Sequence, residues 1–143
     1  MTAAAPNSDA KGRLLPDRPW AGVVAVVWRE GKFLLTLRGN PPYEGIWGLP
    51  GGAIRLGETA FEAAVREVRE ETGILCRPYA SFTTVDVIGP EGSPAPDHHF
   101  LLAAIAADWI SGEIVPGDDA REARWVAAEE LSNLPNVPGT PSS

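Results

Sequence analysis

The sequence predicts a mixed α/β domain, a sheet of several strands with one central helix and a second helix near the end. Three observations carry this. Residues 20–28 are a continuous apolar run rich in valine (Val23, Val24, Val26, Val27), the pattern of a buried strand. Residues 59–72 place apolar side chains at helical spacing between a start signal and a stop signal. Further strand-like runs lie on both sides of that helix, the order of a mixed domain.

Each element follows from local chemistry. Residues 1–18 have no periodicity and no core-forming run, and read as a disordered tail. Arg29-Glu30-Gly31-Lys32 is a turn, and 33–38 the returning strand. Gly39-Asn40-Pro41-Pro42 breaks it and opens a loop to Gly45; 46–49 is short and apolar, and Pro50-Gly51-Gly52 ends it. In the helix, Thr59 with Glu62 is a capping box. Gly73 stands where a left-handed residue closes a helix. Phe61, Ala64, Val65, Val68 and Thr72 form the stripe expected to face the core.

Beyond the helix, 75–88 reads as a long strand, 89–96 as a hairpin loop, 100–107 as an apolar strand and 111–120 as a loop carrying Asp118 and Asp119. Residues 124–127 read as a short strand and 128–131 as the start of a helix. The domain is expected over 19–134, with a C-terminal tail at 135–143.

Composition limits the function. A chain of 143 residues supports one domain. Hydrophobic residues at 44% and charged residues at 22% exclude a wholly disordered or fibrous chain. The net charge of −7 argues against a nucleic-acid-binding surface, which is normally basic. One cysteine, Cys76, allows neither an intrachain disulfide nor a cysteine-rich metal site. No apolar run reaches membrane-spanning length, and residues 1–19 lack the apolar stretch of a secretory signal. The expectation is a cytoplasmic protein with no membrane or nucleic-acid partner.

The acid is concentrated. Glu67, Glu70 and Glu71 lie side by side on one helical face, where like charges repel. Arg66 and Arg69 offset this in part, as on any solvated helix face. The alternative is a hard divalent cation, which takes a few carboxylates and fills its shell with water and phosphate oxygens.

The preceding loop extends the pattern. Gly52, five residues, Glu58, seven residues, then Arg66-Glu67-Val68-Arg69-Glu70-Glu71-Thr72-Gly73-Ile74 match G-x5-E-x7-R-E-U-x-E-E-x-G-U at every fixed position, U being aliphatic. This resembles the Nudix box, and Leu49-Pro50-Gly51-Gly52 resembles the family's LPGG lead-in. The resemblance covers about 20–131 and implies a Nudix-type α/β/α sandwich with a mixed sheet and a central catalytic helix. It implies a pyrophosphohydrolase that cleaves a nucleoside diphosphate linked to another moiety, with Mg²⁺ or Mn²⁺ as cofactor.

By the same resemblance Glu67, Glu70 and Glu71 bind metal, with the main-chain carbonyl of Gly51. Arg66 and Glu58 form an internal pair that orients the loop, and Gly52 and Gly57 let it turn tightly. Asp119, six residues before Trp125, stands where relatives carry a further acid, as ligand or general base. Two aspartates are equally good turn formers, and Glu67 or Glu70 is the alternative base. Arg38 is a candidate for binding substrate phosphate. Trp28, Trp47 and Trp109 suit base stacking or, more commonly, a core. His98 and His99 point to opposite faces of a strand, which speaks against one shared metal.

The box gives the reaction and not the substrate. Pro90 lies 16 residues after the box, a cue of ADP-ribose pyrophosphatases in the resembling family. ADP-ribose or a similar nucleotide sugar is therefore expected, with a (d)NTP or oxidised-nucleotide pyrophosphatase as the alternative. A nucleotide-sensing domain without catalysis is disfavoured because every box glutamate is present. The proline-rich end lacks the closing helix of many relatives, and a homodimer is left open.

Overall fold

The valine-rich run forms β1 (Trp20–Arg29), the middle of the sheet. A computed structural model of the chain describes residues 17–39, 45–90, 92–115, 117 and 120–133. The expected tails fall outside them except for Asp17 and Arg18, as do Asn40, Pro41 and Pro42 of the first loop. From β1 the chain turns through Glu30 and Gly31, both at positive φ, into β2 (Lys32–Arg38). Then come β3 (Trp47–Gly48), β4 (Gly51–Ala53), α1 (Ala60–Thr72), β5 (Leu75–Gly89), β6 (His98–Ser111) and β7 (Ala120–Ala127). A 3-10 turn, Ala128–Asn133, follows.

The sheet runs β3-β2-β1-β6-β5, with β4 pairing β1 and β7 pairing β2. β1 and β6 are parallel, Trp20 opposite Phe100 through Trp28 opposite Asp108, and the other pairs are antiparallel. The mixed sheet and the central helix are as the sequence predicts. α1 covers one face: Ala63, Ala64 and Val68 pack with Val23, Ala25, Val27, Leu34, Ile105 and Ala107. The alternate residues of β2, Phe33 and Leu35, point to the other face. There they join Trp47 and Val126, closed by Leu49 and by Leu131 of the 3-10 turn.

Four details differ from the sequence expectation. Gly51–Ala53 is a strand, because β4 pairs through its main chain with β1 (Gly22 opposite Ala53, Val23 opposite Gly52) and needs no side-chain pattern. β6 and β7 are longer than their apolar stretches, since pairing with β5 and β2 carries polar residues along. The final helix is a 3-10 turn. Phe61 is 39% exposed. Its place is taken by Ala63, since two adjacent alanines let the helix approach the valines of β1.

Candidate active site

The ends of α1 are fixed first. Glu62 N donates to Thr59 Oγ1 at 3.1 Å and Thr59 N to Glu62 Oε1 at 2.9 Å, a closed capping box. At the other end Gly73 is left-handed at φ 77° and its N–H bonds the Arg69 carbonyl. The next two free carbonyls are taken by the β6–β7 connection: Val115 N donates to Thr72 O at 2.7 Å and Gly117 N to Glu71 O at 2.8 Å. A Cβ on Gly117 would land on the Glu70 carbonyl oxygen, so only glycine lets this strap lie so close. The sequence holds no signal for that contact beyond a glycine in a loop.

Arg66 organises the loop ahead of the helix. Its Nε and Nη2 donate to Glu58 Oε2 and Oε1 at 2.7 and 2.8 Å, a two-pronged pair. Nη2 also donates to the Ala53 carbonyl at 3.0 Å, and Nη1 to Glu67 Oε2 at 2.9 Å. Glu58 Oε1 accepts from Arg55 N at 3.0 Å, closing the loop on itself. One guanidinium thus ties β4, the loop and α1 together. Its hydrogen bonds hold the Glu58 carboxyl below the usual carboxylate range, against its partial burial. The same pair raises Arg66 further above its ordinary value.

Glu67 and Glu71, one helical turn apart, are folded inward. The Gly51 amide donates to Glu71 Oε2 at 3.2 Å. A Cβ on Gly52 would land on the Glu67 carboxylate and one on Gly51 on the Val23 main chain, so Gly52 leaves room for Glu67 while Gly51, close against β1, offers its N–H to Glu71. Burial and then the hydrogen-bonded Glu67 carboxylate push Glu71 well above the ordinary value, while Gly51 N–H and the Arg38 charge pull it down. Glu70 is different. Its side chain is half exposed and turned to Arg66 Nη1 at 3.4 Å and Arg55 at 3.7 Å. The bland reading, a solvated face, therefore suits Glu70 and Arg69 and not Glu67 and Glu71.

The donor set fits a hard divalent cation. Two carboxylates held together out of full contact with water repel each other and are relieved by a positive charge between them, and Mg²⁺ is usually held by only one or two carboxylates plus substrate phosphates. Among the described residues no three acidic, histidine or cysteine side chains are gathered to hold an ion alone.

Other candidates sort out by packing. Arg38 ends β2, opposite Ala120 of β7. Asp118 and Asp119 lie outside the described residues, directly after the Gly117 strap. Trp47 is buried, Trp28 meets Phe33 edge-on at 5.5 Å, and Trp109 is covered by the Arg29 guanidinium at 3.8 Å. All three are engaged in packing. His98 and His99 lie in β6 opposite Gly89 and Ile88. Pro90 follows the end of β5, six residues beyond Thr84. Thr84 is aligned through Ala103 and Val23 with Gly52. At about 3.3 Å per residue, Pro90 lies on the order of 20 Å along the strand from that level.

A family model, the NUDIX domain, matches residues 18–142. The ADP-ribose pyrophosphatase of Methanocaldococcus jannaschii is 36% identical over 131 residues, which cover 90% of this chain and 72% of that protein. A putative 8-oxo-dGTP diphosphatase 3 of Mycobacterium tuberculosis is 38% identical over 105 residues, 69% of this chain and 45% of that protein. Among solved structures, the MutT NUDIX hydrolase of Burkholderia pseudomallei superposes with a TM-score of 0.69 at 30% identity, covering 79% of this chain and 86% of that one. The chain belongs to the Nudix family and is a Nudix hydrolase. No helix among the described residues is long and apolar enough to cross a membrane.

Proposed function

We propose that the protein hydrolyses the phosphoanhydride of a nucleoside diphosphate linked to another moiety, ADP-ribose or a similar nucleotide sugar, with Mg²⁺ or Mn²⁺. The observation that carries this is the Glu67–Glu71 pair set against Gly51 and Gly52 of β4. Glu67 and Glu71 would hold a divalent cation there, with the Gly51 carbonyl as a further ligand, and the cation would supply polarisation of a phosphoryl oxygen and acidification of water. Glu70 would join them by leaving its contacts with Arg55 and Arg66, which are long. Arg66 and Glu58 keep the loop and Glu67 in place, the outer support that metal ligands need.

The attacking water needs a base. Asp119 is the proposed one, two residues along the chain from Gly117, whose N–H bonds the Glu71 carbonyl; Glu67 or Glu70 is the alternative. The negatively charged protein meets an anionic substrate through the cation, so the net charge of −7 is no obstacle. The reading is of a cytoplasmic protein that acts on a small nucleotide substrate, as a monomer or a homodimer, without nucleic-acid or membrane partners.

The choice of ADP-ribose rests on the relative named for that activity and on Pro90. The relative named for 8-oxo-dGTP favours a second reading, a pyrophosphatase of (d)NTPs or oxidised nucleotides. The test compares kcat/KM for ADP-ribose, dGTP, 8-oxo-dGTP and dCTP under one Mg²⁺ concentration. ADP-ribose is expected to lead, with visible side activity, since small pocket contacts discriminate by only ~1–3 kcal/mol. A triphosphate that wins by tenfold replaces the first reading with the second.

A further inference from the structure

Arg29 ends β1 on the face that α1 covers, in step with Val23, Ala25 and Val27 of that core. Its guanidinium carbon Cζ lies 3.8 Å from the centre of the Trp109 ring and 5.7 Å from that of Trp125. Both tryptophans pack against the same core, one from β6 and one from β7. A cation over an indole face is attracted by the ring electrons, and more strongly where water is kept away. The Arg29 side chain is 26% exposed. Its ion pair with Glu113, at 3.6 Å and with Glu113 exposed, adds little. The stacking on Trp109 is therefore the anchor.

The anchored indole leads to α1 through the strap. Trp109 Nε1 donates to the Gly112 carbonyl at 2.9 Å, which ties the ring to the turn after β6. Gly112, at φ 99°, lies so near the helix end that a Cβ on it would come within 2.9 Å of the Gly73 carbonyl oxygen. Beyond it, Val115 N–H and Gly117 N–H take the carbonyls of Thr72 and Glu71. The last carbonyls of a helix have no partner within it, and poorly held ends open locally. Glu71 stands in that last turn. Its place therefore depends on the strap, and the strap on the indole that Arg29 covers.

We propose that Arg29 is a positioning residue for α1: stacked on Trp109, it fixes the strap on the last turn of the helix and so holds Glu71 in place for the cation. The part that concerns the cation rests on the proposed function; the hold on the strap does not. Arg29 acts through the strap and touches no reacting group.

The test uses the full chain. Arg29→Met keeps an apolar stem and loses the charge, and Arg29→Lys keeps a cation and loses the flat guanidinium. Amide hydrogen exchange followed by NMR without metal reads the strap directly. In Arg29→Met the exchange of Val115 and Gly117 is expected to quicken at least ~5-fold more than that of Ala25 in β1 and Ala63 at the other end of α1. Calorimetric titration should show Mg²⁺ bound at least threefold more weakly, and kcat at saturating Mg²⁺ should fall at least threefold with KM for ADP-ribose within twofold of wild type. Arg29→Lys should lie between wild type and Arg29→Met in all three. Trp109→Phe, which keeps a ring for Arg29 and loses the bond to Gly112, is expected to free the strap in the same way and carries the test if the Arg29 variants do not fold. Exchange that quickens equally at all four amides means a merely structural role and overturns the proposal. A freed strap with unchanged Mg²⁺ affinity and kcat overturns it too and leaves the functional reading standing. A wild type that binds no Mg²⁺ and cleaves no ADP-ribose brings down that reading and with it the role given to Glu71.

Discussion

Glu71 meets two opposed demands. Burial and the neighbouring Glu67 favour its neutral form, whereas the proposed cation site needs it ionised. Glutamine at this position can accept from Gly51 N–H with its oxygen and donate to Glu67 with its amide. Glu71→Gln is therefore expected to keep or raise the metal-free melting temperature while activity falls by ~10²-fold or more, because an amide holds a hard cation poorly. Thermal melts and turnover on one preparation check this; a destabilised Glu71→Gln with normal turnover contradicts it. Asp119→Asn is expected to lower kcat by ~10²–10⁴-fold if Asp119 is the base. An effect under threefold returns the base to Glu67 or Glu70. Cys76 has a plainer role. Burial pushes its thiol up to about 11, so it should react with disulfide reagents only after unfolding.

α1 is the element on which the site depends, and its ends behave differently as text. The capping box and Gly73 were legible because caps are local chemistry, decided by residues three or four apart. β4 was not, since a glycine pair reads as a breaker until β1 supplies the pairing. The strap at Gly117 was not legible either, since its partners, Glu70 and Glu71, lie more than forty residues earlier in the chain. Thr59→Ala is expected to cost ~1 kcal/mol, read by urea unfolding, with kcat nearly unchanged. Gly117→Ala is expected to cost about 1–3 kcal/mol, because its Cβ must displace the Glu70 carbonyl or the strap. Its kcat should fall more than that of Thr59→Ala, since the strap leads directly into Asp118 and Asp119. Equal kcat values would separate the strap from catalysis.

Among the described residues, two carboxyls at the site, Glu58 and Glu71, have opposite shifts that bear on the pH response. Glu58 is held below its unfolded value by Arg66, so its contribution is present above about pH 4.3 and is lost as pH falls through the lower folded value. Glu71 is raised, so its contribution is full below about pH 4.3 and lost as pH rises above it. The metal-free protein should therefore be most stable in mildly acidic buffer and lose stability toward alkaline pH. Mg²⁺ should restore more stability there than at pH 6, because it displaces a proton from the pair. At this scale the box named the side chains of the loop and helix but not how they would stand. It grouped Glu70 with Glu67 and Glu71, and only packing separates the exposed member from the two pressed on Gly51 and Gly52. The most direct test of the central claim follows ADP-ribose by ³¹P NMR with wild type and Glu71→Gln, each in Mg²⁺ and in excess EDTA. The account predicts AMP and ribose phosphate from wild type in Mg²⁺ alone. Equal cleavage in EDTA, or by Glu71→Gln in Mg²⁺, would contradict it.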